Sequence, residues 1–179
     1  MLRLFLSLTI ILFFTACNPP NSSLVISQPP TKEELLPDTI VRLPIHFRAN
    51  GYSKIKTKLY TTESDFTTFI NKVETENFWN KEKQKNFIGS LQINPIDFTK
   101  YNLLIYTMRE SSGYTKLTID PPKGDNSHVK IDINREIPLK GKIDTNMAYY
   151  ALAYKVKKSV IDITFDNGVK QEIILNVQN

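Results

Sequence analysis

The sequence predicts an α+β domain, a mostly antiparallel β-sheet or sandwich with one main amphipathic helix. Three observations predict it. Beyond Pro95 the apolar residues recur with the two-residue period of strands. An Asn-Gly pair, Asn167-Gly168, sits between two such runs, the strongest short-range hairpin signal. One segment, Phe66 to Val73, carries a helical period instead.

The elements follow in chain order. Ile40 to Phe47 is apolar but interrupted by Pro44, which suits an edge strand. Asn50-Gly51 reads as a turn. Ile55, Thr57, Leu59 and Thr61 then alternate with Lys54, Lys56, Lys58 and Tyr60, a half-buried strand showing its lysines to solvent. Thr62 to Asp65 has capping-box spacing, and Glu63 and Asp65 favour the positive end of a helix. Phe66, Phe69, Ile70 and Val73 fall on one face of that helix, with Asn71, Lys72 and Glu74 opposite. Burying each such side chain contributes about 1.5–3 kcal/mol, so the stripe reads as core. Phe78-Trp79 closes the region, and Lys81 to Lys85 reads as a solvated loop or short helical turn.

Leu103 to Met108 is a continuous apolar run, as expected of a central strand buried on both faces. Ser111 to Gly113 is a turn, and 121–126 a loop. Val129, Ile131 and Ile133 alternate with Lys130 and Asp132. Tyr150, Leu152, Tyr154 and Val156 share one face of the next strand, with Ala151, Ala153, Lys155 and Lys157 opposite. Ile161, Ile163 and Phe165 lead into the Asn167-Gly168 turn, and Val169, Ile173, Leu175 and Val177 make the returning run.

The first residues are organised differently. Arg3 precedes a short apolar core from Leu4 to Phe14, and Thr15-Ala16 puts small residues before Cys17. That sequence describes a secretory signal, and its end resembles the lipobox of bacterial lipoproteins. The resemblance implies a lipid on the Cys17 thiol, cleavage of residues 1–16 and a membrane anchor. A spanning helix needs roughly 20 apolar residues, and Asn18-Pro19-Pro20 stops the run short. Residues 17–38, rich in Pro and polar residues, read as a tether. It would reach roughly 60 Å if extended and about 25 Å as a coil. Leu24-Val25-Ile26 is its apolar patch. Residues 39–179 then form a single β-rich domain. Asn18 is not the Asp that marks inner-membrane retention in some Gram-negative bacteria, which favours the outer membrane in such an organism.

Composition narrows the chemistry. Cys17 is the only cysteine, so the domain is expected to stand on packing alone, with no disulfide or thiol nucleophile. The net charge is +5, one unit of which leaves with Arg3. This mild excess suits anionic lipid or an acidic partner rather than nucleic acid. His46 and His128 have no partner at metal-ligand spacing, so no metal is expected. Ser111 and Ser112 lack a GxSxG elbow, and six glycines leave little material for a phosphate loop. Asp97, Asp120, Asp132, Asp144 and Asp162 read as solvent-facing partners of apolar strand residues. No cofactor is expected. The lysines at 54, 56 and 58 and at 155, 157 and 158 either form basic patches or guard strand edges, and the second is the simpler reading. Tyr150 and Tyr154 are candidate interaction residues, since tyrosine serves both core and interface.

Ile96-Asp97-Phe98-Thr99-Lys100, the strand through Leu103-Leu104-Ile105-Tyr106, and Ser112-Gly113-Tyr114 opening the next strand together resemble the C-terminal domain of the protease-complex-subunit (protease stability factor) lipoproteins. The similarity covers roughly residues 94–160. The family's Gly-Gly-Tyr stands here as Ser112-Gly113-Tyr114, and its Pro-rich turn is reduced to Pro138 and Gly141. The resemblance implies an accessory role, binding and stabilising a partner at the envelope without catalysis, with Gly113 and Tyr114 at a tight turn that contributes to interaction. The leading expectation is therefore an anchored, non-enzymatic lipoprotein that binds an envelope protein. The alternative is a module holding a small or lipidic molecule between helix and sheet, which requires a pocket lined by aromatic residues.

Overall fold

A computed structural model of the chain describes residues 38–45, 48–111, 115–137 and 147–175. Three layers stack: two helices, a four-stranded sheet, and a second sheet of five strands. The architecture is α+β, as the strand periodicity requires.

The spine is the pairing of β3 (Tyr101–Glu110) with β7 (Ala148–Lys157), antiparallel over all ten residues of each. Both are buried on two faces. Leu103, Ile105, Ala151 and Ala153 pack toward the helices, while Leu104, Tyr106, Leu152 and Tyr154 pack toward the second sheet. The continuous apolar run of β3 and the two-faced reading of β7 are both observed. β1 (Ile40–Leu43) pairs with β7 and β2 (Lys58–Tyr60) with β3, giving the order β1-β7-β3-β2. Pro44 follows β1 directly, where the missing N–H ends an edge strand.

The second sheet runs β4 (Lys116–Ile119), β6 (His128–Glu136), β8 (Asp162–Asp166), β9 (Gln171–Leu175), with the two-residue β5 (Lys123–Gly124) beside β6. β6 and β8 are parallel. The reason is topological: the chain leaves β6, crosses the first sheet as β7 and returns as β8. Such a crossover makes neighbours parallel. The two sheets meet through Tyr106 stacked on Phe165, ring centroids 3.8 Å apart, and through Val129, Ile131, Ile133 and Ile163.

A second helix departs from the sequence reading. After helix α1 (Glu63–Thr75), Lys81–Gln92 forms a full α-helix, α2, rather than a loop or single turn. Asn80 caps it by accepting from the Lys83 N–H at 3.2 Å. Its buried stripe is Gln84, Phe87, Ile88 and Leu91, helical spacing that opens on a polar residue. Gln84 is buried for a reason: its amide donates to the backbone carbonyls of Val73 and of Glu76, the latter at 3.1 Å. Both carbonyls lie at the end of α1, beyond the i+4 ladder; that of Val73 also accepts from the Glu76 N–H at 3.3 Å. α1 itself starts as expected, with Thr62 accepting from the Asp65 N–H at 3.2 Å.

Two further segments differ. Asn50-Gly51, read as a turn, opens a 3-10 helix, Asn50–Lys54. A Cβ on Gly51 would lie 2.1 Å from the Trp79 ring, so glycine is needed there for close approach. The strand expected over 55–61 is confined to β2, and Tyr60 is buried rather than facing solvent with the lysines. Helix α1 covers that face, with Phe69 against Tyr60 at 4.8 Å between centroids.

Candidate functional site

The hairpin of β8 and β9 exposes apolar side chains on its outer face. Its turn is the Asn-Gly turn read from sequence: Asp166 accepts from the Gly168 N–H, Asn167 accepts from the Val169 and Lys170 N–H groups, and Gly168 has φ 73°. The direction of the returning strand differs from the simplest expectation. Thr164 lies opposite Ile173, and Asp162 opposite Leu175. Ile163 and Phe165 point into the core, so Thr164 and Asp162 point out. Directly opposed residues share a face. Ile173 and Leu175 must therefore face solvent, and they are 61% and 62% exposed. Only Ile174 of β9 packs against the core, and Glu172 reaches the Tyr106 hydroxyl, which donates to it at 3.4 Å. Val169, in the turn, is also exposed.

The rest of that outer face is charged and internally neutralised. Lys130 Nζ lies 2.8 Å from Asp132 and 3.1 Å from Asp166, and Lys123 lies 3.3 Å from Asp132. The Lys130 hydrogen bond holds the Asp132 carboxyl below the usual carboxylate range, and those to Asp132 and Asp166 hold Lys130 above its ordinary value. The Gln171 amide, the Gly168 N–H and Lys130 hold Asp166 down to about 2. At the far end of the strands His128 Nδ1 sits 2.7 Å from an Asp162 carboxylate oxygen. Parallel pairing of β6 with β8 brings these two side by side. The Asp162 hydrogen bond and charge raise the His128 pKa above its ordinary 6.5.

This pair carries a pH prediction. A histidine whose folded pKa is raised stabilises the fold fully below its unfolded pKa, and the contribution is lost as pH rises through the folded value. The melting temperature of wild type should exceed that of His128→Asn below pH 6.5. The gap should close as pH rises through the elevated pKa. A gap independent of pH would mean that the imidazolium–carboxylate pair contributes nothing.

The edges of the two sheets differ in how they are protected. β1 carries Arg42 and is followed by Pro44, β2 begins at Lys58, and β4 begins at Lys116 and is followed by Pro121. Such residues discourage pairing with another chain. Gln171–Leu175 contains no Lys, Arg or Pro. Among the described residues no strand pairs with its outer edge.

The residues singled out from sequence are distributed elsewhere. Tyr150 and Tyr154 are 3% and 1% exposed between the sheets, where Tyr150 donates to the Thr115 carbonyl at 3.1 Å. They are core residues in this structure and present no surface to a partner. Cys17, Leu24 to Ile26, His46, Gly113, Tyr114, Pro138, Gly141, Asp144 and Val177 lie outside the described residues. Asp120 and Asp132 sit in the charged network with Lys123, Asp162 pairs with His128, and Asp97 caps its own turn through Thr99. Among the described residues no cluster of three His, Cys, Asp or Glu is arranged for a metal ion, and no helix is long and apolar enough to cross a membrane. Sequence reasoning missed Ile173 and Leu175 as surface residues. The usable signal was Thr164, whose outward direction follows from the two large apolar neighbours beside it. No family model matches the chain, and neither does any curated protein or solved structure compared with it.

Proposed function

We propose that this chain is a non-enzymatic lipoprotein of the cell envelope, anchored through a lipid on Cys17, that binds an extended segment of another envelope protein along the edge of β9. The observation that carries the reading is an edge strand that has no outer neighbour among the described residues, holds no Lys, Arg or Pro, and exposes Ile173 and Leu175 on one face. Strand addition uses main-chain hydrogen bonds for affinity and alternate side chains for specificity. The two exposed residues stand at alternate positions, so they favour a partner strand whose own apolar residues recur at every second position. The lipobox and the resemblance to accessory lipoproteins support the same reading.

The test is in-cell crosslinking of the full-length protein followed by affinity purification and mass spectrometry, with Cys17→Ala and Ile173→Lys as controls. One envelope protein should be enriched by the anchored wild type and lost from both variants. Ile173 faces solvent, so Ile173→Lys should leave the unfolding free energy within about 0.5 kcal/mol of wild type. Equal enrichment by wild type and Ile173→Lys would exclude the β9 edge as the docking site.

A further inference from the structure

On the opposite side of the first sheet, β2, the 3-10 helix and α1 enclose a cleft of about 360 Å³. Its size falls within the range of small-molecule sites, roughly 300–1,000 Å³. Two chemistries line it. Tyr60, Phe69, Phe78 and Trp79 supply an aromatic wall. Lys54, Lys56, Lys58 and Lys72 stand against only Asp65 and Glu76, so cations outnumber carboxylates by two to one.

The lysines are not equally engaged. Lys58 lies 3.9 Å from Asp65 and over the Tyr60 ring at 4.8 Å, and Lys54 lies over Phe78 at 5.9 Å. Lys56 and Lys72 have no partner among the described residues. A second unsatisfied group belongs to the wall. Trp79 is 4% exposed, and its indole N–H, buried, has no acceptor among the described residues. Buried donors are nearly always paired, so an orphan beside a cleft asks for an explanation. The ring is held firmly in place: Gly51 approaches it closely, and Phe87 stacks on it with centroids 5.3 Å apart.

We infer that this cleft binds an amphipathic anion, a molecule with one carboxylate or phosphate head and an acyl or aromatic body. Lys56 and Lys72 receive the head, and Tyr60, Phe69 and Phe78 pack against the body. Neutral or cationic ligands forgo the charge match, and a fully polar anion forgoes the aromatic wall. The cleft lies across the first sheet from the β9 edge, so the inference does not depend on the protein-binding role proposed above.

Trp79 is the only tryptophan in the chain, which makes its emission a direct reporter. The full-length protein, reconstituted in phosphatidylcholine vesicles, is titrated with octanoate, octylammonium and octanol. Octanoate should shift Trp79 emission saturably, and octylammonium should not. The Lys56→Glu/Lys72→Glu double variant, changed only at exposed positions, should keep its melting temperature and lose at least about tenfold in octanoate affinity, equivalent to about 1.4 kcal/mol. A parallel arm replaces octanoate by phosphatidylglycerol within the vesicles. A response to octanoate marks a free acid as the ligand, and a response to phosphatidylglycerol alone marks a lipid headgroup. Equal responses to octanoate and octylammonium, full octanoate affinity in the double variant, or no response to either anion would overturn the inference.

Discussion

Phe87→Ala is expected to destabilise the domain by roughly 3–5 kcal/mol, the range for truncating a buried phenylalanine. Phe87 is fully buried on α2, stacked on Trp79 and edge-on to Tyr52 and Phe69 at centroid distances of 5.4 and 6.2 Å. It therefore joins α1, α2, the 3-10 helix and the Trp79 segment. Truncation removes the transfer free energy of the ring and leaves a cavity among rings that cannot all move inward together. Small domains have only about 5–15 kcal/mol of total stability. Urea denaturation should show the midpoint falling steeply with an unchanged slope. A loss below about 1 kcal/mol would mean that α2 is not part of the cooperative core. The same variant disturbs the Trp79 wall, so it should also perturb the emission of that residue.

The second large effect concerns the ion pair that ties the two sheets together. Glu110, at the end of β3, is 4% exposed and accepts two hydrogen bonds from Arg135 of β6, one of them from Nε at 3.0 Å. Removing one partner of a buried pair costs roughly 3–5 kcal/mol, because the other charge is left without compensation. Arg135 keeps 21% of its side-chain exposure and can partly rehydrate, so Glu110→Leu should fall at the lower end. The informative comparison is the Glu110→Leu/Arg135→Leu double variant. Replacing both charges with apolar groups is often neutral or stabilising. Chemical denaturation should therefore find the double variant more stable than Glu110→Leu alone. If the double variant is the less stable of the two, Arg135 is not left uncompensated by the loss of Glu110, and the cost of the single change lies elsewhere than in an orphaned charge.

Much of the fold could be read locally. A continuous apolar run located β3, alternation located β6, β7 and β8, capping and spacing located α1, and Asn167-Gly168 located the last hairpin. These features depend on near neighbours in the chain, which is why a single sequence exposes them. Helix α2 was hidden because its buried stripe begins with Gln84. That glutamine earns its burial only by meeting the end of α1, eleven residues upstream at Val73. Likewise Tyr60 alternates correctly for an exposed position and is buried because α1 folds over it.

The candidate site was legible in part. Sequence marked Ile173 and Leu175 as an alternating strand pair but not the face they take. That face follows from register, which the turn at 167–170 and the inward Ile163 and Phe165 set together. A shift of one residue would have exchanged the two faces of β9. His128 and Asp162 stand 34 residues apart and meet through a parallel pairing that no local pattern announces. The cleft is similar: its lysines and aromatics were visible, but β2 and α1 had to pack before they faced one another.

The sequence by itself determined the secondary-structure elements with strong local periods, the two-faced burial of β3, and the expectation of a cleaved leader over residues 1–16 followed by a tether from Cys17. Only the tertiary structure decided which face of β9 meets solvent, which polar residues are buried, and which charges pair. The physical reason is that period and capping are properties of neighbouring residues. Exposure, pairing and clefts are properties of surfaces brought together from distant parts of the chain.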